Sequence, residues 1–145
     1  MKKIMFSLCT LLVCGMFASC GDPTAKLEGL TEKVEEQGDE WTDPDQWESV
    51  MRDYADAVMA FADSNPTEEE FENFSDAAKD FQSACYSIDS KKAKRARDKA
   101  EKRLDKDKEL EKKMKDATKK LKKIEKKIKK KEKEEKEEEE EEYED

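Results

Sequence analysis

The residues with chemical potential in this chain are four cysteines, at positions 9, 14, 20 and 85, and a ladder of lysines near the carboxyl end. The ladder comprises Lys119, Lys120, Lys122, Lys123, Lys126, Lys127, Lys129 and Lys130. None of the 145 residues is a histidine, so a serine or cysteine nucleophile has no imidazole base to activate it. The zinc and redox spacing Cys-x-x-Cys is absent, as are a glycine-rich phosphate loop and the His-Glu-x-x-His pattern. Carboxylates abound, but acid/base work by a carboxylate pair needs a cleft that raises one pKa. A small helical chain offers little cleft. Neither catalysis nor a metal or cofactor is expected, and no small-molecule substrate is evident.

Cys20 has the most informative surroundings. Met1-Lys2-Lys3 is a short positive stretch, and Ile4 to Phe17 is an apolar run broken only by Ser7, Thr10 and Gly15. About 20 apolar residues are needed to span a bilayer, so this run reads as the core of an export signal occupying residues 1–19. The tetrapeptide Phe17-Ala18-Ser19-Cys20 resembles the lipobox of bacterial lipoproteins. Ala18, Ser19 and Cys20 match it, and Phe17 stands where that family has Leu or Val. The resemblance covers the leader alone. It implies cleavage before Cys20, lipidation of the Cys20 thiol by palmitate-class chains, and anchorage in the cell envelope. Gly21 rather than Asp after the cysteine implies the outer membrane, with the periplasmic or the surface face left open. Cys9 and Cys14 then leave with the leader and Cys85 has no internal partner. Cys85 reads as a small buried hydrophobe on a helix, with an intermolecular disulfide as the alternative.

The lysine ladder belongs to a larger charge pattern. Residues 22–90 carry 20 acidic and 4 basic side chains, residues 91–133 carry 9 acidic and 23 basic, and residues 134–145 carry 10 acidic and 1 basic. The order is acidic, basic, acidic. Such a basic segment could meet phosphates, but residues 91–145 hold only Arg95, Arg97, Arg103 and Tyr143 for base readout or stacking. No nucleic-acid partner is expected.

The elements that must position these groups are helices. After an anchor region from residue 20, Leu27, Leu30 and Val34 mark a short helix stopping near Gly38, glycine being a common helix terminator. Asp43-Pro44 reads as an N-cap followed by proline at the first helical position. Trp47, Val50, Met51, Tyr54, Val58 and Phe61 then form one apolar stripe. Ser64-Asn65-Pro66 ends that helix, and Thr67 to Glu70 is a capping box. Phe71, Phe74, Ala78, Phe81, Cys85 and Ile88 form a second stripe. Residues 44–90 are thus expected to form an acidic amphipathic hairpin.

From Lys91 to Lys133 there is neither glycine nor proline, and a narrow Ala/Leu/Ile stripe predicts one long basic helix. Its heptad seam is interrupted at Arg103 and Asp107. The predicted fold is all-α: the hairpin and this long helix in an antiparallel three-helix or coiled-coil-like arrangement, with residues 134–145 a disordered acidic tail. Two modes of action follow. The first is a non-enzymatic structural module making helix–helix contacts with another copy or an envelope protein, through the stripe from Leu121 to Ile128. The second is electrostatic binding of an anionic envelope surface by the lysine ladder, shielded by the glutamate tail.

Overall fold

The computed structural model describes residues 22–143, so the leader, the lipobox and Cys20 lie outside the described residues. Those described form five α-helices: α1 (Pro23–Gln37), α2 (Pro44–Ala62), α3 (Glu68–Tyr86), α4 (Lys91–Asp105) and α5 (Lys108–Tyr143), with one 3-10 turn at Gly38–Glu40. There is no strand among them.

Every helix begins at a side chain that satisfies an otherwise unpaired amide. The Asp22 carboxylate accepts the Thr24 N–H, and that of Asp43 accepts the Asp45 N–H. Thr67 and Glu70 cap reciprocally at 3.2 Å. The Ser90 hydroxyl accepts the Ala93 N–H, and the Asp107 carboxylate accepts the Leu110 N–H at 3.1 Å. Between α2 and α3, Asn65 takes the left-handed conformation (φ 50°), a role asparagine tolerates better than most residues. Gly38 does end α1, though for a different reason from the one expected. Its φ is −55°, and a Cβ there would lie 3.1 Å from Ile88 Cγ2 and 3.4 Å from Trp47. Close packing, not backbone freedom, requires the glycine.

The core is aromatic. Trp47 is fully buried, Trp41 packs edge-on against it at 5.1 Å, and the Trp47 indole N–H donates to the Trp41 carbonyl. Phe61 stacks on Phe74 at 3.9 Å and Tyr54 on Phe81 at 4.8 Å. These pairs join α2 and α3 as an antiparallel hairpin whose backbones the rings hold apart. Helix α1 approaches α3 closely, while α2 also touches α1, α4 and α5. Ala93, Ala96 and Ala100 are buried, and their small side chains let α4 come close to α2. Arg97, buried as well, donates to the Cys85 carbonyl at 2.7 Å and lies over the Tyr86 ring. Asp39 accepts the N–H groups of Asp89 and Ser90 at 2.8 and 3.0 Å. It thereby ties the end of α1 to the start of α4.

Two expectations are corrected. Residues 91–133 are not one helix, because the chain breaks at Lys106–Asp107 and restarts as α5. The cause is Asp107, whose carboxylate caps α5 and also accepts from Arg52 of α2 at 3.2 Å. The interrupted seam is the elbow itself. Second, residues 134–143 do not form a disordered tail but continue α5. Glutamate is a good helix former, and loose i,i+4 pairs, Lys130–Glu134 and Lys133–Glu137, bridge the change of sign. At 36 residues, α5 is about 54 Å long, roughly twice α2 or α3. It runs alongside α2 in the same direction, with Asp107 by Arg52 and Lys120 by Asp63, and continues beyond it. Five helices thus pack together where a hairpin and one long helix were expected.

Trp47→Ala is expected to cost about 3–5 kcal/mol in urea unfolding of the purified chain. A loss below about 1 kcal/mol would be typical of a surface site and would place the core elsewhere.

Candidate binding surfaces: a lysine ridge and an elbow groove

Helix α5 carries both features that could engage a partner. Its inner side is set by Leu110, Met114, Ala117 and Leu121. Ala117 is buried, and Met114 and Leu121 pack against the aromatic core. Ile124 and Ile128 continue the stripe, half-buried. With 100° between successive residues, the opposite arc of about 100° holds Lys108, Lys112, Lys115, Lys119, Lys122, Lys123, Lys126, Lys130 and Lys133. All nine are exposed. The acidic residues of this stretch, Glu109, Glu111, Asp116, Glu125 and Glu132, all fall outside that arc. The result is a lysine ridge about 38 Å long.

Of the ladder read from sequence, Lys119, Lys122, Lys123, Lys126 and Lys130 lie on the ridge. Lys120, Lys127 and Lys129 lie on its flanks. Lys120 pairs with Asp63 at 2.5 Å and Lys129 with Glu125 at 2.6 Å, and each partner carboxylate holds its lysine pKa above the usual value. On the ridge, Lys115 pairs with Glu111 at 2.7 Å, while Lys130 and Lys133 reach glutamates of the next turn at 3.7 and 3.8 Å. Among the described residues, Lys112, Lys119, Lys122, Lys123 and Lys126 have no carboxylate oxygen within 4.0 Å. Helical continuation also limits the acidic end. The glutamates from Glu134 to Glu142 wind round the helix beyond the ridge, and among the described residues only Glu134 and Glu137 come within 4.0 Å of a lysine, each one turn away.

The second feature was not read from the sequence. Where α4 and α5 part at the elbow, a groove of about 700 Å3 opens. Met51, Tyr54 and Ala55 of α2, Phe81 and Cys85 of α3, Leu104 of α4, and Leu110 and Met114 of α5 line it. Burial pushes the Cys85 thiol up to about 12, so it is protonated and inert at neutral pH. The one signal that could have located the groove was the break in the heptad seam at Asp107. Reading that residue as a cap, rather than a flaw in a long helix, would have implied the bend.

Among the described residues no group of three or more His, Cys, Asp or Glu side chains is arranged to hold a metal ion, and no helix is long and apolar enough to cross a membrane. Comparison with known protein families, curated proteins and solved structures finds no match to the chain.

Distal to the groove, α5 passes the start of α3. Glu132 lies against Glu68 there, and shared hydrogen bonding with Glu132, followed by burial and repulsion from Glu132, Glu135 and Glu72, raises the Glu68 pKa. A carboxylate with a raised folded pKa binds protons more tightly folded than unfolded, so the strain is full at neutral pH and is relieved as pH falls through the folded value. Glu68→Gln is therefore expected to raise the melting temperature at pH 7. Its advantage over the parent chain should vanish by pH 4, as followed by circular dichroism. An advantage that persists at pH 4 would rule out the carboxylate contact as its source.

Proposed function

We propose that this chain is a lipid-anchored, non-enzymatic module of the bacterial cell envelope, tethered through Cys20, that binds an anionic envelope surface with the lysine ridge of α5. The observation that carries this reading is the outward arc of α5, where residues 108–133 contribute lysines and no carboxylate. A basic segment gains about 1 kcal/mol per lysine near an anionic surface, and the gain is screened by salt. Lipid headgroups or the phosphates of envelope polymers supply the matching charge. The acidic α1–α3 body is repelled by the same surface, which favours presentation of α5. Several buried acyl chains hold a protein firmly at a membrane, and the ridge adds orientation rather than anchorage. The acidic end neutralises the last turn of the ridge only.

Helix–helix contact with another copy or an envelope protein remains a second reading, with the half-exposed side chains at the elbow in its favour. It has less support from the stripe Leu121–Ile124–Ile128, which faces this chain's own body and is half-buried there.

Metabolic labelling with a fatty-acid analogue is expected to mark the native protein and not Cys20→Ala. Co-sedimentation of Cys20→Ala with phosphatidylglycerol vesicles is expected to weaken steeply with salt. Reversing Lys119, Lys123 and Lys126 to Glu should lower it about a hundredfold. Reversing the flanking Lys113, Lys127 and Lys131, with the same net charge, should lower it far less. Equal losses in the two variants would reject the ridge and leave only overall charge.

A further inference from the structure

The elbow groove has a composition that the lysine ridge does not account for. We propose that it is a binding site for a single-chain anionic amphiphile, an alkyl chain ending in a carboxylate or a phosphate. Its floor is apolar and drawn from four helices, with buried Phe81 and Cys85 behind half-exposed Met51, Tyr54, Leu104 and Met114. A folded chain ordinarily covers such side chains. These are left open because Asp107 turns α5 away from α4 while Arg52 holds the elbow to α2.

The volume, about 700 Å3, lies in the usual range for sites that enclose a small ligand, about 300–1,000 Å3. The apolar contribution of α5 is confined to Leu110 and Met114, one turn apart. A docked helix needs a longer track, with anchors repeating at i, i+4 and i+7. An alkyl chain needs only a compact hollow.

Charge at the rim fixes the head group. On α4 the groove is edged by Glu101 and Asp105, and along α5 by Glu111, Lys115, Lys119 and Lys122. Glu111 is paired with Lys115 at 2.7 Å, whereas Glu101, which accepts from the Tyr86 hydroxyl at 2.9 Å, and Asp105 keep their charge on the α4 side, so a carboxylate or phosphate head group is directed to the opposite, α5 side. Lys119 and Lys122 have no such partner among the described residues and stand about one to two helical turns beyond Met114. They complement an anion at the end of a chain lying on the floor. A cationic head would meet them as like charges. Binding is non-covalent, and the protonated Cys85 thiol contributes only to the floor.

The test uses the full-length Cys20→Ser chain and a fluorescent polyene fatty acid as probe. One-to-one saturable binding is expected, displaced by palmitate or by a lysophospholipid phosphate, whichever source supplies the head group. Met114→Trp should fill the groove and weaken binding by at least about tenfold. Thr118→Trp, at the exposed rim, serves the same end without disturbing the core if Met114→Trp lowers the melting temperature. Lys119→Glu with Lys122→Glu should weaken the fatty acid and leave the corresponding alcohol unchanged. The vesicle assay separates this site from the ridge, because Thr118→Trp should leave salt-dependent vesicle binding intact. Absence of saturable binding, or binding indifferent to both tryptophan substitutions, would overturn the proposal. So would a dimer in sedimentation velocity that Thr118→Trp disperses, which would assign the groove to a second copy.

Discussion

The whole architecture depends on burial of a few aromatic rings in a chain where nearly half the residues are charged. Trp47, Trp41, Phe61, Phe74 and Phe81 are almost wholly withdrawn from water, and each large ring contributes far more apolar area than the alanines that line α4. Exposed ion pairs contribute little by comparison, about 0–1 kcal/mol each. The pairs that cross between helices, Arg103 with Asp45 and Glu48, Arg52 with Asp107, and Lys120 with Asp63, therefore select which faces meet rather than hold them together. The acidic body and the basic helices have opposite charge for the same reason. Attraction at the rim chooses an orientation that the aromatic core then fixes.

From this core the elbow follows. Asp107 both starts α5 and receives Arg52, so one carboxylate ends the continuity of a helix and clamps the new one to α2. Hydrogen bonding to the Leu110 N–H, then to Arg52, lowers its pKa. The clamp is thus present at neutral pH and weakens only in acid, as the carboxylate is protonated. The bend has two consequences for what the protein can bind. It leaves apolar side chains uncovered between α4 and α5, and it turns the inner stripe of α5 onto α2 so that the lysines face water. Past Leu121 the helix leaves the core cluster; Ile124 and Ile128 are half-buried, Glu132 meets Glu68, and the rest is mostly exposed charge.

Much of this was legible in the sequence because caps and stripes are local. Asp43-Pro44, the Thr67–Glu70 box, Ser64-Asn65-Pro66 and the two aromatic stripes each specify themselves within a few residues, and α2 and α3 follow. The association of α1 with α3 and the burial of Arg97 were not legible. Both depend on residues far apart in the chain, and an arginine reads as surface until a carbonyl and a tyrosine ring are brought to it. The elbow was half legible: Asp107 interrupted the heptads, but the choice between a flaw and a cap rests on Arg52, 55 residues away. The helical acidic end was not legible, because like-charge runs suggest disorder. Here glutamate's helix propensity and the absence of any breaker carry the helix on. Lysines on the ridge and on the flank look alike in sequence, and only the docked face of α5 separates them.

A small aromatic core that grips the first third of a long charged helix, and so decides which way its lysines point, is the claim on which the functional readings rest. Amide hydrogen exchange along α5 tests it most directly, since docked and free helix differ in protection. The amides of Leu110 to Leu121 should exchange with the slow amides of α2, and those beyond Lys133 should exchange orders of magnitude faster. Uniform protection through Tyr143, or exchange before Leu121 as rapid as at the far end, would contradict it.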